Sequence, residues 1–195
     1  MGMVVEKLVL ASCSPRRSEL LSLAGIPFET VSPDVDESCD LPADQTVAVL
    51  SARKAQAVSR FFPGRFILAA DTLVSLEGRK MGKPENVEDA KAMLRMLSGK
   101  THQVYTGVSL LSPSGKLLTE SDRSDVTFCP LTEEEIIAYV RSGEPMDKAG
   151  AYALQGHASL WISRIEGSFS SVIGLPLHLV REMLMQSGYS FPSPV

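Results

Sequence analysis

Positive charge is in short supply here: 19 Lys and Arg face 23 Asp and Glu, a net charge of -4 over 195 residues. A general nucleic-acid binder needs a basic patch or stripe, so nucleic acid is not an expected partner. Cysteine is scarce too. Cys13, Cys39 and Cys129 are widely spaced and form no C-x-x-C, which gives neither a disulfide framework nor a zinc site and suits a reducing compartment. The histidines, His102, His157 and His178, are equally scattered and read as structural or surface groups. No apolar run approaches about 18 residues, and the N-terminus has no apolar signal segment, so a cytoplasmic, non-membrane protein is expected. No G-x-x-x-x-G-K-[S/T] occurs, which removes kinases with a P-loop. Repeats, linkers and low-complexity tracts are also missing, so one domain over residues 1–195 is expected.

What is present begins with Leu8 to Ala11, an apolar run suited to a buried strand. It enters a polar turn and then a helix, with Ser14 at the N-cap and Pro15 at the first helical position. Leu20, Leu21 and Leu23 supply an apolar stripe, and Gly25 ends the helix. Ser12, Ser14, Arg16 and Arg17 thus gather at a helix N-terminus, where hydroxyls, backbone N–H groups and guanidinium groups suit an anion such as phosphate. A plain strand–turn–helix with solvated arginines is the alternative.

Phe28 to Ser32 has strand composition. Asp34 to Asp40 then holds four carboxylates in seven residues, either a solvated loop or a source of ligands for a hard divalent cation. A helical pattern over Asp44 to Ser59 places Val47, Leu50, Ala55 and Val58 on one side and carries Arg53 and Lys54; by itself Lys54 reads as solvated. Phe66 to Ala70 reads as a central strand with Asp71 and Thr72 at its tip, where α/β proteins place their sites. A cap or turn aspartate is the other reading. A hairpin turning at Glu77 and Gly78 delivers Gly82, Lys83 and Pro84.

Asn86 caps a helix from Val87 to Ser98, and strands follow over 103–111 and 116–128. Thr132 and Glu135 form a capping box for a helix ending at Ser142. Asp147 to Gly156 is rich in small residues and includes the amide of Gln155; a tight turn would explain it as well. Ser159 to Ile165 reads as a strand, Gly174 to Pro176 starts a last helix, and Phe191 to Val195 is expected to fray.

Eight of these segments, in this order, resemble the Maf family of nucleoside triphosphate pyrophosphatases over nearly the whole chain. They are Ser12-Cys-Ser-Pro-Arg-Arg17, Asp36-Glu37, Arg53-Lys54-Ala55, Ala70-Asp-Thr72, Gly82-Lys-Pro84, Leu97 to His102, Asp147 to Gly156 and Gly174-Leu-Pro176. The resemblance implies an α/β fold, an elongated mixed central sheet flanked by helices, like that of the inosine triphosphatases. It implies hydrolysis of a nucleoside triphosphate to the monophosphate and pyrophosphate with a divalent metal, Mg²⁺ or Mn²⁺.

Carried over by position, the resemblance makes Asp71 the proton acceptor that activates water. Ser12, Ser14, Arg16, Arg17, Lys54 and Lys83 would hold phosphates, and Glu37 with Asp71 would serve the metal. Arg16, Thr72 and Gln155 fall on the specificity positions of the subgroup acting on dTTP and UTP. The sister subgroup, acting on 7-methyl-GTP, and a nucleotide-binding regulator of cell division are the alternatives. Cys13 stands where small residues, often glycine, are usual in the family. Oligomeric state is left open, with a homodimer among the allowed assemblies.

The chemistry asks for the same parts. Cleavage between the α- and β-phosphates needs charge neutralised over several oxygens, which four cations and a metal provide. It also needs one oriented water with a carboxylate in reach of its proton. Hard oxygen ligands suit Mg²⁺ or Mn²⁺. Gln155 can match a pyrimidine edge because it both donates and accepts, and Ala151 and Ala153 leave space for a thymine methyl.

Overall fold

The computed structural model describes residues 6–192. Seven strands form one mixed sheet: β1 (Leu8–Ala11), β2 (Phe28–Val31), β3 (Ile67–Leu76), β4 (Arg79–Met81), β5 (Thr101–Leu111), β6 (Leu117–Phe128) and β7 (Ile162–Glu166). Their order is β2-β1-β3-β5-β6-β7, with β4 also on β3. β1 is parallel to β2 and to β3, and the remaining pairings are antiparallel. β3, β5 and β6 have 10, 11 and 12 residues, so they run roughly 33–40 Å and make the sheet long.

Among the described residues six α-helices cover it: α1 (Pro15–Leu23), α2 (Ala43–Ser59), α3 (Val87–Leu97), α4 (Glu133–Arg141), α5 (Phe169–Ile173) and α6 (Leu177–Gln186). The alternation of β3 assigns them to faces. Leu68 and Ala70 point to a cluster with Leu20 and Leu21 of α1 and Val180 and Leu184 of α6. Val74 and Leu76 point the same way into a second cluster, with Leu94 of α3 and Ile136 of α4. Between the two, on that same face, lies Thr72. Ile67 and Ala69 face the other side, against Ala55 and Val58 of α2, and Asp71 shares their parity. α2 lies unusually close to the sheet because β5 presents Gly107 opposite Asp71. An added Cβ at Gly107 would run into the Val47 carbonyl.

Local signals act as expected at several ends. Asn86 accepts from the Asp89 N–H at 3.0 Å. Both bonds of the Thr132/Glu135 capping box are made. Gly25 has φ +67, just past the α1 C-cap at Ala24.

Other expectations need correcting. Ser14 occupies the α1 N-cap, but its side chain makes no cap bond; its own N–H is instead bound by Ser12 Oγ at 3.1 Å. Leu23 is exposed, because the α1 stripe that meets the sheet stops at Leu21. The expected strand from Ser159 starts only at Ile162, since His157–Trp161 is a 3-10 turn. Phe191 does not fray: it packs edge-on to Tyr189, 5.3 Å between centroids. The rest of that tail, 193–195, lies outside the described residues. His102 agrees with its structural reading: it is fully buried, 2.7 Å from the Tyr152 hydroxyl. Burial lowers its pKa to about 4, so it stays neutral and structural.

Candidate active site

Asp71 is not at a strand tip. It sits in the middle of β3, at a notch in the sheet. On one side β5 pairs with β3 along Ile67 to Ser75. On the other side β1 pairs only as far as Ala69, and β4 reaches back only to Met81 opposite Val74. Four residues of β3, Ala70 to Leu73, are left without a strand neighbour there. Alternation turns Asp71 to one face and Thr72 to the other. The loop leaving β1 enters this notch and starts α1 beside it.

A cleft of about 740 Å³ opens at the notch, a volume ordinary for small-ligand sites. Arg16, Arg17, Lys54, Lys80 and Lys83 line it, against Glu37, Asp71 and Asp147. Five cations against three anions favour a polyanion. Tyr152, Ala153, Leu154, Val172 and Ile173 give it an apolar wall.

Lys54 is buried at 7% exposure, so the solvated reading of this residue fails. Its Nζ donates to Asp71 Oδ1 at 2.6 Å and lies 2.7 Å from Glu37 Oε1. The Lys54 hydrogen bond holds the Glu37 carboxyl below the usual range. A buried lysine needs such partners, because an unpaired charge in that position is costly. The acidic segment is therefore no free loop; it brings Glu37 onto Lys54.

Two residues that sequence reasoning passed over or left unassigned hold that loop. Lys80 Nζ donates to the Cys39 and Leu41 carbonyls at 2.9 and 2.8 Å. Arg53 Nη1 donates to the Asp36 and Ser38 carbonyls at 3.1 and 2.9 Å. No motif marks Lys80; the period-2 alternation along the hairpin is the single signal that could have pointed it inward.

Arg17 is pinned at three points. Nε donates to the Gly174 carbonyl at 2.7 Å, Nη1 to Ser12 Oγ at 3.1 Å and Nη2 to Thr72 Oγ1 at 3.1 Å. Burial pulls its pKa down, opposed by the nearby charge of Asp71; a guanidinium still keeps its proton. Gly174, at φ +124, lets the backbone come this close: a Cβ there would lie 3.2 Å from Thr72 Oγ1.

Of the expected site residues, Ser12, Ser14, Arg16, Arg17, Glu37, Lys54, Asp71, Thr72 and Lys83 all line the one cleft. Lys83 reaches it from the turn tied down by the Gly150 N–H to Gly82 carbonyl bond, 3.0 Å. Gln155 is exposed and does not line the cleft, although its neighbour Leu154 does. Ala153 lines the cleft, whereas Ala151 is buried behind it.

The family model described as Maf-like protein matches residues 7–187. A dTTP/UTP pyrophosphatase of Bacillus cereus (strain ATCC 10987 / NRS 248) is 49% identical over 186 residues, 93% of this chain and 91% of that protein. The protein of the same description from Bacillus cereus (strain G9842) is 50% identical over 183 residues, 92% of this chain and 95% of its own length. Among solved structures, the Staphylococcus aureus Ham1 protein superimposes with a TM-score of 0.53 at 13% identity, over 93% of this chain and 99% of that one. At that identity the likeness concerns the fold alone.

Proposed function

This chain belongs to the Maf-like family, and from that premise we propose that it hydrolyses dTTP and UTP to the nucleoside monophosphate and pyrophosphate. The observation that carries the reading is Lys54, buried and bonded to both Asp71 and Glu37 in a notch of the sheet. Relatives near 50% identity over nine-tenths of the chain, described as dTTP/UTP pyrophosphatases, support the substrate.

Asp71 takes the proton of the attacking water. Lys54 occupies its Oδ1, which leaves the second oxygen to meet that water. Arg17, fixed by three bonds, meets phosphate oxygens without reorganising, which is where electrostatic catalysis gains most. Arg16, Lys83 and the Ser12–Ser14 loop bind the rest of the triphosphate. The apolar wall beside Ala153 receives the base.

Metal dependence is part of the same proposal. Among the described residues no group of three or more His, Cys, Asp and Glu forms a cage. Mg²⁺ and similar ions need none: one or two carboxylates suffice when substrate phosphates and water complete the shell. Glu37 and Asp71 already converge on one cation, the Lys54 ammonium, so the donor set fits an ion that arrives with the nucleotide. When bound, such an ion neutralises charge on the phosphate oxygens. Among the described residues no helix is long and apolar enough to cross a membrane, and the cytoplasm, where nucleoside triphosphates are held, is the proposed location.

Base choice is tested by kcat/KM over a panel of nucleotides. Uracil and thymine share the O2, N3–H and O4 edge, so one set of partners accepts both, whereas cytosine lacks the N3 proton and donates at position 4. We expect dTTP and UTP to be comparable, with CTP, ATP and GTP at least about tenfold worse, roughly 1.4 kcal/mol. A strong preference for 7-methyl-GTP would overturn the assignment.

A further inference from the structure

A row of hydroxyls leads from Arg17 into the sheet, and its inner members lie outside the cleft. Arg17 Nη2 donates to Thr72 Oγ1 at 3.1 Å. Thr72 Oγ1 lies 3.0 Å from Thr106 Oγ1, its neighbour in register on β5. Thr106 Oγ1 donates to the Ser171 carbonyl of α5 at 2.8 Å. Thr106 is fully buried and does not line the cleft.

The direction of this row follows from counting protons. A hydroxyl has one proton to give and two lone pairs with which to accept. The Ser171 carbonyl can only accept, so Thr106 gives its proton there. Between the two threonines, Thr72 must then be the donor. Having given its proton inward, Thr72 meets the cleft with lone pairs alone, and these accept from Arg17. Reverse any one step and two protons, or two lone pairs, face each other.

We infer that Thr106 is a positioning residue: it fixes the polarity of the Thr72 hydroxyl, and through it the orientation of the Arg17 guanidinium. Thr72 then has no proton to offer the substrate and can only accept on the side that faces the cleft. The inference rests on the reading of Arg17 as a phosphate clamp, and the experiment separates the two.

Steady-state kinetics on dTTP and UTP are compared for Thr106→Val, Thr106→Ser, Thr72→Val, the Thr72→Val/Thr106→Val double variant and Arg17→Ala. Thr106→Val removes the hydroxyl at nearly constant volume. It should lower kcat/KM about tenfold, the scale of one lost hydrogen bond. Most of the loss should fall in KM and be equal for both nucleotides. Thr106→Ser, which keeps the row, should stay within about twofold of the parent, as a hydrogen-bonding role requires. The double variant should be no worse than Thr72→Val, since residues in one network are not additive. Should Val fail to fold at this buried position, Thr106→Ala removes the same hydroxyl and carries the same expectation.

A silent Thr106→Val, a Thr106→Ser as damaged as Val, or losses that multiply in the double variant would each overturn the inference. If Arg17→Ala is damaging while Thr106→Val is silent, the clamp stands and the positioning role falls. If Arg17→Ala leaves KM and kcat unchanged, the clamp reading falls and the positioning role with it.

Discussion

Asp71→Asn is expected to lower turnover by roughly 10²–10⁴, the usual worth of a positioned general base. The change keeps the side chain's shape and removes its charge and its ability to take a proton. Asp71 lies in a long strand paired with β5 on one side, so the backbone has no cause to move. Lys54, whose ammonium would lose one of its two anionic partners but keep an accepting oxygen at residue 71, keeps Glu37 at 2.7 Å. Substrate affinity should therefore change much less than turnover. The check is kcat and KM beside a thermal melt: near-normal kcat in a folded Asp71→Asn protein would remove this carboxylate from the chemistry.

The second large effect is expected at Lys54. Lys54→Met keeps most of the buried stem but deletes the cation between Asp71 and Glu37, both within 2.7 Å of it. By analogy with removing one oxyanion donor, kcat/KM should fall roughly 10²- to 10³-fold, for every nucleotide alike. A pH effect should accompany it. Lys54 holds the Glu37 carboxyl below its ordinary range; without it that carboxyl titrates at higher pH. The acid limb of the rate profile should therefore move upward in pH. Because Asp71 loses a buried partner, a melt of the variant runs beside the kinetics. Unchanged kcat/KM with an unmoved acid limb would show that Lys54 is structural. A loss confined to one base would show that it reads the base.

The sequence made some of this fold legible and hid other parts for identifiable reasons. Caps rest on local bonds, so Asn86 and the Thr132/Glu135 box stood out and are made as expected. The β3–β4 hairpin was equally visible in Glu77 and Gly78, which take positive φ. The length of β3 was not. Asp71 and Thr72 break its apolar run, and a polar pair normally marks a strand end. Here it marks the gap between β1 and β4 along one edge, which depends on the lengths of two other strands. α5, five residues long, is too short to show helical periodicity. The anion-binding residues around Ser12 and Arg17 were recognisable by type and order. Lys80 and Thr106 were not, because a lysine in a hairpin and a threonine in a strand look like surface residues. Only the register Thr72↔Thr106 brings the second one behind Arg17. Gln155 shows the opposite case: conspicuous by type and position, it lies on the exposed side of the turn beyond Leu154.

The most direct test is the identity of the products. The purified protein is incubated with dTTP or UTP and Mg²⁺ or Mn²⁺, and the products are resolved by ion-exchange chromatography. Cleavage between the α- and β-phosphates predicts the nucleoside monophosphate and pyrophosphate in equal amounts, with no diphosphate at any time. Accumulation of the nucleoside diphosphate with orthophosphate would contradict the account.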